Sequence, residues 1–146
     1  MNKKLIINYY NYTAFGLNII SLIFYILIVF NILIVATISS ILYILTFLFN
    51  LGLIILNFRF VNRTDKLGGR WIKNFSWIYL VICFISILLI IMAQLGHFIA
   101  EALPYFIDNI VLIIYSIIGY LLIYCFGIFI CYYNIKNLKR NEAWNF

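Results

Sequence analysis

Long apolar runs separated by short polar stretches dominate the pattern of this chain. No charged residue occurs between Lys4 and Arg59. A membrane helix needs about 20 apolar residues, so this stretch is too long for one crossing and fits two. Its least hydrophobic point, Ala36-Thr37-Ile38-Ser39-Ser40, is the expected turn. A turn at Asn31 would leave a first span starting at Ala14 too short to cross comfortably, and neither place offers Gly or Pro. The first two spans are therefore expected at about 14–35 and about 40–58.

A hydrophilic segment at 59–74 follows, and a third apolar run occupies about 75–98. The link Glu101-Ala102-Leu103-Pro104-Tyr105-Phe106-Ile107-Asp108 leads to a fourth run at about 109–133, and a basic tail closes the chain. Backbone groups in hydrocarbon must be hydrogen-bonded within their own segment, which makes these runs helices. A barrel would need alternating polarity, and Ile-Ile-Ser-Leu-Ile-Phe-Tyr-Ile-Leu-Ile-Val-Phe has none. The expected fold is all-α: one polytopic membrane domain over 1–146, with four transmembrane helices in two hairpins.

Composition strengthens this reading. The chain is 67% hydrophobic and 10% charged, with a mean hydropathy of +1.13. Soluble domains average about 25% charged residues, so 10% cannot cover a water-facing surface. A soluble enzyme, a disordered tail and a disulfide scaffold are excluded. The richness in Ile, Asn, Phe, Tyr and Lys fits an AT-rich genome, and it weakens arguments from aromatic clusters.

Charge divides the chain independently of hydropathy. All 10 basic residues fall on three segments: Lys3 and Lys4; Arg59, Arg63, Lys66, Arg70 and Lys73; and Lys136, Lys139 and Arg140. Four crossings put these segments on one side of the bilayer, and the acids Glu101 and Asp108 mark the other. The positive-inside rule predicts an N-in, C-in topology, with the termini in the cytoplasm or in the matrix. The location expected is a bacterial cytoplasmic membrane or a mitochondrial inner membrane. The net charge of +6 is thus a topology signal, and it calls for no nucleic-acid partner. The five basic residues of the 59–74 loop are expected to meet lipid head groups. Lys3-Lys4 and the run after them exceed a signal-peptide core of about 7–15 residues and read as a retained anchor. Glycosylation patterns at Asn11, Asn62 and Asn74 fall on the expected inner side and read as chance.

No segment has room for a nucleotide-binding or hydrolytic domain. Gly68-Gly69-Arg70 lacks the strand before it and the Lys-Ser/Thr after it that a phosphate loop requires. Cys83, Cys125 and Cys131 have no metal-ligand spacing and read as buried packing thiols. No metal site and no catalytic constellation is expected, nor a soluble substrate. Asn31 and Asn50 lie deep and should bond across helices, to each other or to another subunit, while Asn18 and Asn57 lie nearer the inner side. Gly119, Gly127 and Ser116 put small residues on the fourth helix, suited to internal packing or to docking against a neighbour.

The third run carries the clearest functional signal. Ser76, Tyr79, Cys83, Ser86, Ala93, Gln94, His97 and Glu101 recur at helical steps and mark one face. A polar stripe in a membrane must face protein or a water cavity, because lipid offers it no partners. Gly96 and Ala100 permit close helix approach on this run. At its outer end Gln94, His97 and Glu101, with Asp108 beyond, suit a proton relay, a quinone-site cluster or a haem ligand. Pro104 ends the helix, and Tyr105-Phe106 form an interfacial anchor.

The spacing of His97 and Asp108 resembles the membrane-anchor subunits of succinate dehydrogenase. There a haem-ligating His precedes an Asp by eleven residues near a quinone site, with another span following. The resemblance implies that His97 is an axial ligand of haem b and Asp108 a residue at a helix end. Glu101, Pro104 and Asn109 depart from that pattern, as does the fourth span. The functional expectation is a non-catalytic membrane subunit of a multi-subunit complex, in a respiratory chain or another energy-transducing assembly, with other membrane subunits and the lipid bilayer as partners. A small homo-oligomeric four-helix transporter or flippase is the alternative. An immunity-type or accessory protein that binds another membrane protein is a further one.

Overall fold

The computed structural model describes the backbone at 2–29, 36–61, 67–102 and 109–140. Side chains are described within these ranges except at 36, 37, 67–69, 97, 100–102, 109, 112 and 140. The described chain is all-helical: α1 (Lys3–Val29), α2 (Ala36–Phe60), α3 (Leu67–Ala102) and α4 (Asn109–Arg140). All four helices are long and apolar enough to cross a membrane, over Lys3–Val29, Ile38–Phe60, Arg70–Gly96 and Ile113–Lys139. The protein is an integral membrane protein of four helices in two antiparallel hairpins.

The helices outrun the hydropathy spans because polar residues near their ends are accommodated inside the bundle. α1 starts eleven residues before Ala14. Asn2 caps it, its Oδ1 accepting the Lys4 backbone N–H at 3.2 Å. Asn11, polar by sequence, is buried. A start at Lys3 lets α1 end at Val29 and still span, so the expected turn at 36–40 becomes the opening of α2 instead. At the other end of the chain, α4 carries Lys136 and Lys139 on its last turns. Arg59 closes α2, and Arg70 and Lys73 ride on the first turns of α3. Much of the expected 59–74 loop is therefore helix, while Arg63 and Lys66 lie outside the described residues.

Each helix turns one narrow seam inward. In α1 it is Ile7, Asn11, Ala14, Asn18, Ser21 and Tyr25. In α2 it runs through Ser39, Thr46, Asn50, Leu53 and Asn57, and in α3 through Ile72, Ser76, Tyr79, Cys83, Ser86 and Ala93. Ile123, Ile130, Asn134 and Asn137 continue the pattern in α4. Alternating steps of three and four give a 3.5-residue repeat, the signature of left-handed bundle packing at a shallow crossing angle. The closest helix pairs are α3 with α4, α1 with α4 and α1 with α2; α2 and α3 pack more loosely, and the diagonal pairs touch least. The outward faces are apolar, as lipid demands. Tyr9, Trp71, Trp77 and Tyr132 are exposed toward the end that carries residues 2 and 140, as an aromatic belt at one interface would be.

Candidate functional site

Hydrogen bonds organise the bundle into layers, which the seam positions bring together. We call the end with residues 2, 61, 67 and 140 the terminal end and the opposite one the hairpin end. Nearest the terminal end, one polar residue from each helix joins a single chain of hydrogen bonds. Asn134 of α4 donates through Nδ2 to Asn11 Oδ1 at 3.0 Å and to Asn57 Oδ1 at 2.9 Å. Asn57 in turn donates to Ser76 Oγ at 2.8 Å, and Ser76 donates to the Ile72 carbonyl at 2.8 Å. An apolar plug of Ile7, Val61, Ile72 and Leu138 closes this layer off from the membrane surface.

Two turns further in, Asn18 and Asn50 form a reciprocal amide pair, with N–H to O distances of 2.8 and 3.0 Å. The second N–H of Asn50 reaches Tyr79 Oη at 2.6 Å, and the Tyr79 hydroxyl donates to the Ile123 carbonyl of α4 at 3.1 Å. The backbone of α4 lies directly on this amide pair at Gly127. A Cβ there would stand 2.8 Å from Asn50 Nδ2 and closer still to Asn18 Oδ1. Gly119 makes a similar approach to α3, since a Cβ would lie 3.1 Å from the Ser86 carbonyl oxygen. These glycines thus serve internal packing, one of the two uses expected of them. Above the amide pair, the hydroxyls of Ser21 and Thr46 meet at 2.6 Å.

Beyond Ser21 and Thr46 the character of the core changes from amide to aromatic. Tyr25, Tyr43, Tyr120 and Tyr124 cluster, with ring centroids of Tyr25 and Tyr120 at 4.8 Å and of Tyr43 and Tyr120 at 4.9 Å. Tyr124 is fully buried behind them, 6.1 Å from Tyr25 and 6.3 Å from Tyr43. Among the described residues its hydroxyl has no hydrogen-bond partner. The other three tyrosines line a cavity of about 610 Å³ at the hairpin end, where all four helices contribute. Ser39, Ser40, Gln94 and Ser116 join them, and Ile28, Val29, Ile113 and Ile117 supply apolar wall. The described lining carries hydroxyls and one amide but no ionisable acid or base other than tyrosine. A cavity within about 300–1,000 Å³, mostly apolar with a few polar groups, has the form of a small-molecule site.

The residues singled out in the sequence are distributed unevenly over this architecture. Ser76, Tyr79, Cys83, Ser86 and Ala93 are buried on the α3 seam. Gln94 lies one position off the seam, is exposed, and forms part of the cavity wall. His97 and Glu101 stand in the last turns of α3, but their side chains lie outside the described residues, as does Asp108 entirely. Of the cysteines, Cys83 and Cys131 are buried as expected, while Cys125 is exposed on the outward face of α4. Asn50 finds its partners in Asn18 and Tyr79 within the same chain, and Asn31 lies outside the described residues. Among the described residues no group of three His, Cys, Asp or Glu is placed to hold a metal ion.

Sequence reasoning misses the layers, although a signal for them exists. Asn11, Asn18 and Tyr25 are spaced by seven in α1, and Tyr43, Asn50 and Asn57 by seven in α2. In an antiparallel hairpin these mirrored heptads place amide beside amide and tyrosine beside tyrosine. In α4 the same step links Tyr120, Gly127 and Asn134, with glycine at the level of the Asn18–Asn50 pair. No known protein family matches the chain, and no curated protein or solved structure is found to resemble it.

Proposed function

We propose that this chain is a non-catalytic integral membrane subunit that holds a small, uncharged, amphipathic molecule at the hairpin end of its bundle. The observation that carries the reading is the cavity lined by Tyr25, Tyr43, Tyr120, Ser39, Ser116 and Gln94. These groups offer O–H and N–H donors above apolar and aromatic walls, which suits a ligand with carbonyl or ether oxygens on a flat or greasy body. A charged ligand finds no counter-charge in the described lining. The charge asymmetry of the sequence supports placing this cavity toward the outer leaflet, with the termini on the cytoplasmic or matrix side.

Gln94 belongs to the cavity wall, and His97 and Glu101 follow it on the same helix. Their polar character at this end supports a role at the edge of the same site. The membership in a larger complex rests on the scarcity of extramembrane mass. Blue-native electrophoresis tests it, and migration as a lone chain or small homo-oligomer counts against it.

The binding reading is tested by extracting the protein, purified in mild detergent, with organic solvent and weighing what is released by mass spectrometry. The expected result is one neutral amphipathic compound at a fixed ratio to protein, lost from Ser116→Leu and Gln94→Leu variants that keep their thermal midpoint. Release of bulk lipid alone, equal in both variants, overturns it. The same preparation tests the resemblance at His97. A b-type Soret band that disappears in His97→Ala makes the bound group haem, and no such band sets haem aside.

One observation favours a second reading, a homo-oligomeric transporter. Polar groups follow one another along the bundle axis from the cavity through Ser21–Thr46 and Asn18–Asn50 to Asn134. Their complete burial describes a sealed seam, so transport through it requires the layers to part. Solute or proton flux in reconstituted vesicles, abolished by Asn50→Leu, would establish that reading.

A further inference from the structure

The tyrosine cavity is walled unequally. Helices α1, α2 and α4 each supply three or four residues to its described lining, whereas α3 supplies Gln94 alone. The thin wall lies where α3 adjoins α2, the neighbouring pair that packs more loosely than the others. Building on the binding role of this cavity, we propose that it opens sideways into the bilayer between α2 and α3. Its ligand is then an uncharged lipid that enters through this gap.

Topology and register both favour an opening here. The α2–α3 link lies at the terminal end, so no connection ties these two helices together at the hairpin end. Near the link the pair is in contact: Asn57 donates to Ser76 Oγ at 2.8 Å, and the rings of Phe58 and Trp77 stand 5.0 Å apart. Carried five turns toward the hairpin end, the register of Asn57 with Ser76 sets Ser39 opposite Gln94, and both of these line the cavity. Two heptads on from Phe58 and Trp77 come Ile44 and Ile91, which are 57% and 46% exposed. They form apolar lips to the gap.

The lining and the lips together define the class of ligand. Gln94 is exposed although it belongs to the apolar span Arg70–Gly96. An amide turned toward hydrocarbon lacks the partners that water gives it, and the carbonyl of a lipid in the gap supplies one. The tyrosine hydroxyls deeper in the cavity donate to oxygens of the same kind. No acid or base other than tyrosine stands in the described lining, so a charged head would be desolvated without compensation. Ester or ketone oxygens beside an uncharged head fit this wall, while the chain behind them gains apolar contact with Ile44 and Ile91.

Photolabelling of the full chain in phosphatidylcholine vesicles tests the route. One probe is a diacylglycerol with a diazirine on its acyl chain beside the ester, dissolved in the bilayer. The other is a short-chain glycerol ester carrying the same diazirine, supplied from water. The bilayer probe is expected to label peptides with Tyr43 and Gln94 well above the exposed face of α1 around Ile20. Ile44→Trp/Ile91→Trp fills the gap from the lipid side and should lower that labelling about tenfold, the equivalent of about 1.4 kcal/mol. Ile20→Trp/Ile23→Trp, on the exposed face of α1, should leave it unchanged. Bilayer labelling no higher at the cavity than around Ile20, with the short ester still reaching the cavity, overturns the lateral route and leaves the binding role standing. Cavity labelling by neither probe overturns both. Undiminished labelling in an Ile44→Trp/Ile91→Trp variant that keeps its thermal midpoint also overturns entry between α2 and α3. The label distribution of the parent decides by itself if that variant fails to fold.

Discussion

The terminal half and the hairpin half of the bundle are built from the same residue periodicity but do different work. In the terminal half, Asn11, Asn18, Asn50, Asn57, Ser76 and Asn134 pair across all four helices, and apolar residues seal the layer above them. In the hairpin half, the corresponding positions in α1 and α2 are Tyr25 and Tyr43, and their rings stand around a cavity. The small amides of Asn18 and Asn50 satisfy each other face to face, so helices can approach until Gly127 touches the pair, while in the next layer the buried Asn134 Oδ1 has no partner among the described residues. Tyrosine rings instead surround an open cavity, and the buried Tyr124 hydroxyl has no hydrogen-bond partner among the described residues. A sealed half that fixes register supports an open half that can bind.

The contrast can be broken most forcefully at Gly127. Gly127→Ala forces α4 off the amide pair and should cost about 1–3 kcal/mol, as overpacking of a tight core does. Reversible unfolding followed by circular dichroism in mixed micelles would read this. A variant as stable as the parent would mean that the helices are not in contact here. Gly16, with nothing within 4 Å of an added Cβ, is the matched control and should tolerate Ala.

A second effect of similar size is expected from Asn50→Leu. It leaves the Asn18 amide and the Tyr79 hydroxyl short of partners, at about 1–3 kcal/mol. Because Asn18 and Asn50 form one unit, the double variant Asn18→Leu/Asn50→Leu should be less destabilised than the sum of the single ones. A coupling of at least about 0.5 kcal/mol in that double-mutant cycle is the expected sign. Strict additivity would dissolve the layer as a cooperative element.

The finest comparison sets two buried tyrosines against each other. Tyr79→Phe removes a hydroxyl that accepts from Asn50 and donates to the Ile123 carbonyl, and should lose about 1 kcal/mol, within the range measured for hydrogen bonds between membrane helices. Tyr124→Phe removes a hydroxyl with no hydrogen-bond partner among the described residues and should be neutral or stabilising. Equal destabilisation by both would place a bound water or ligand on Tyr124 and extend the polar site behind the tyrosine cluster.

The extent to which these features could be read in advance follows from what each depends on. Four spans and the clustering of basic residues are legible because hydropathy and charge act on each segment alone. Helix ends are less so: α1 starts at Lys3 because Asn11 and Asn134 hide each other's polarity, which no local average of hydropathy can register. On α3 the stripe from Ser76 to Ala93 is correctly the inward face, yet the drift between 3.5 and 3.6 residues per turn leaves Gln94 off the seam and at the cavity wall. Asn57 looks interfacial by position, but the bundle gives it Ser76 and Asn134 as partners.

By itself, then, the sequence determined that this chain enters the membrane as four helices with its basic residues gathered at one end. Insertion energy is summed segment by segment, and 67% hydrophobic content permits no other solution. Only the tertiary structure decided which half is sealed and which is hollow. Amide pairing needs partners at matching heights on different helices, and that height is a property of how the helices pack against one another.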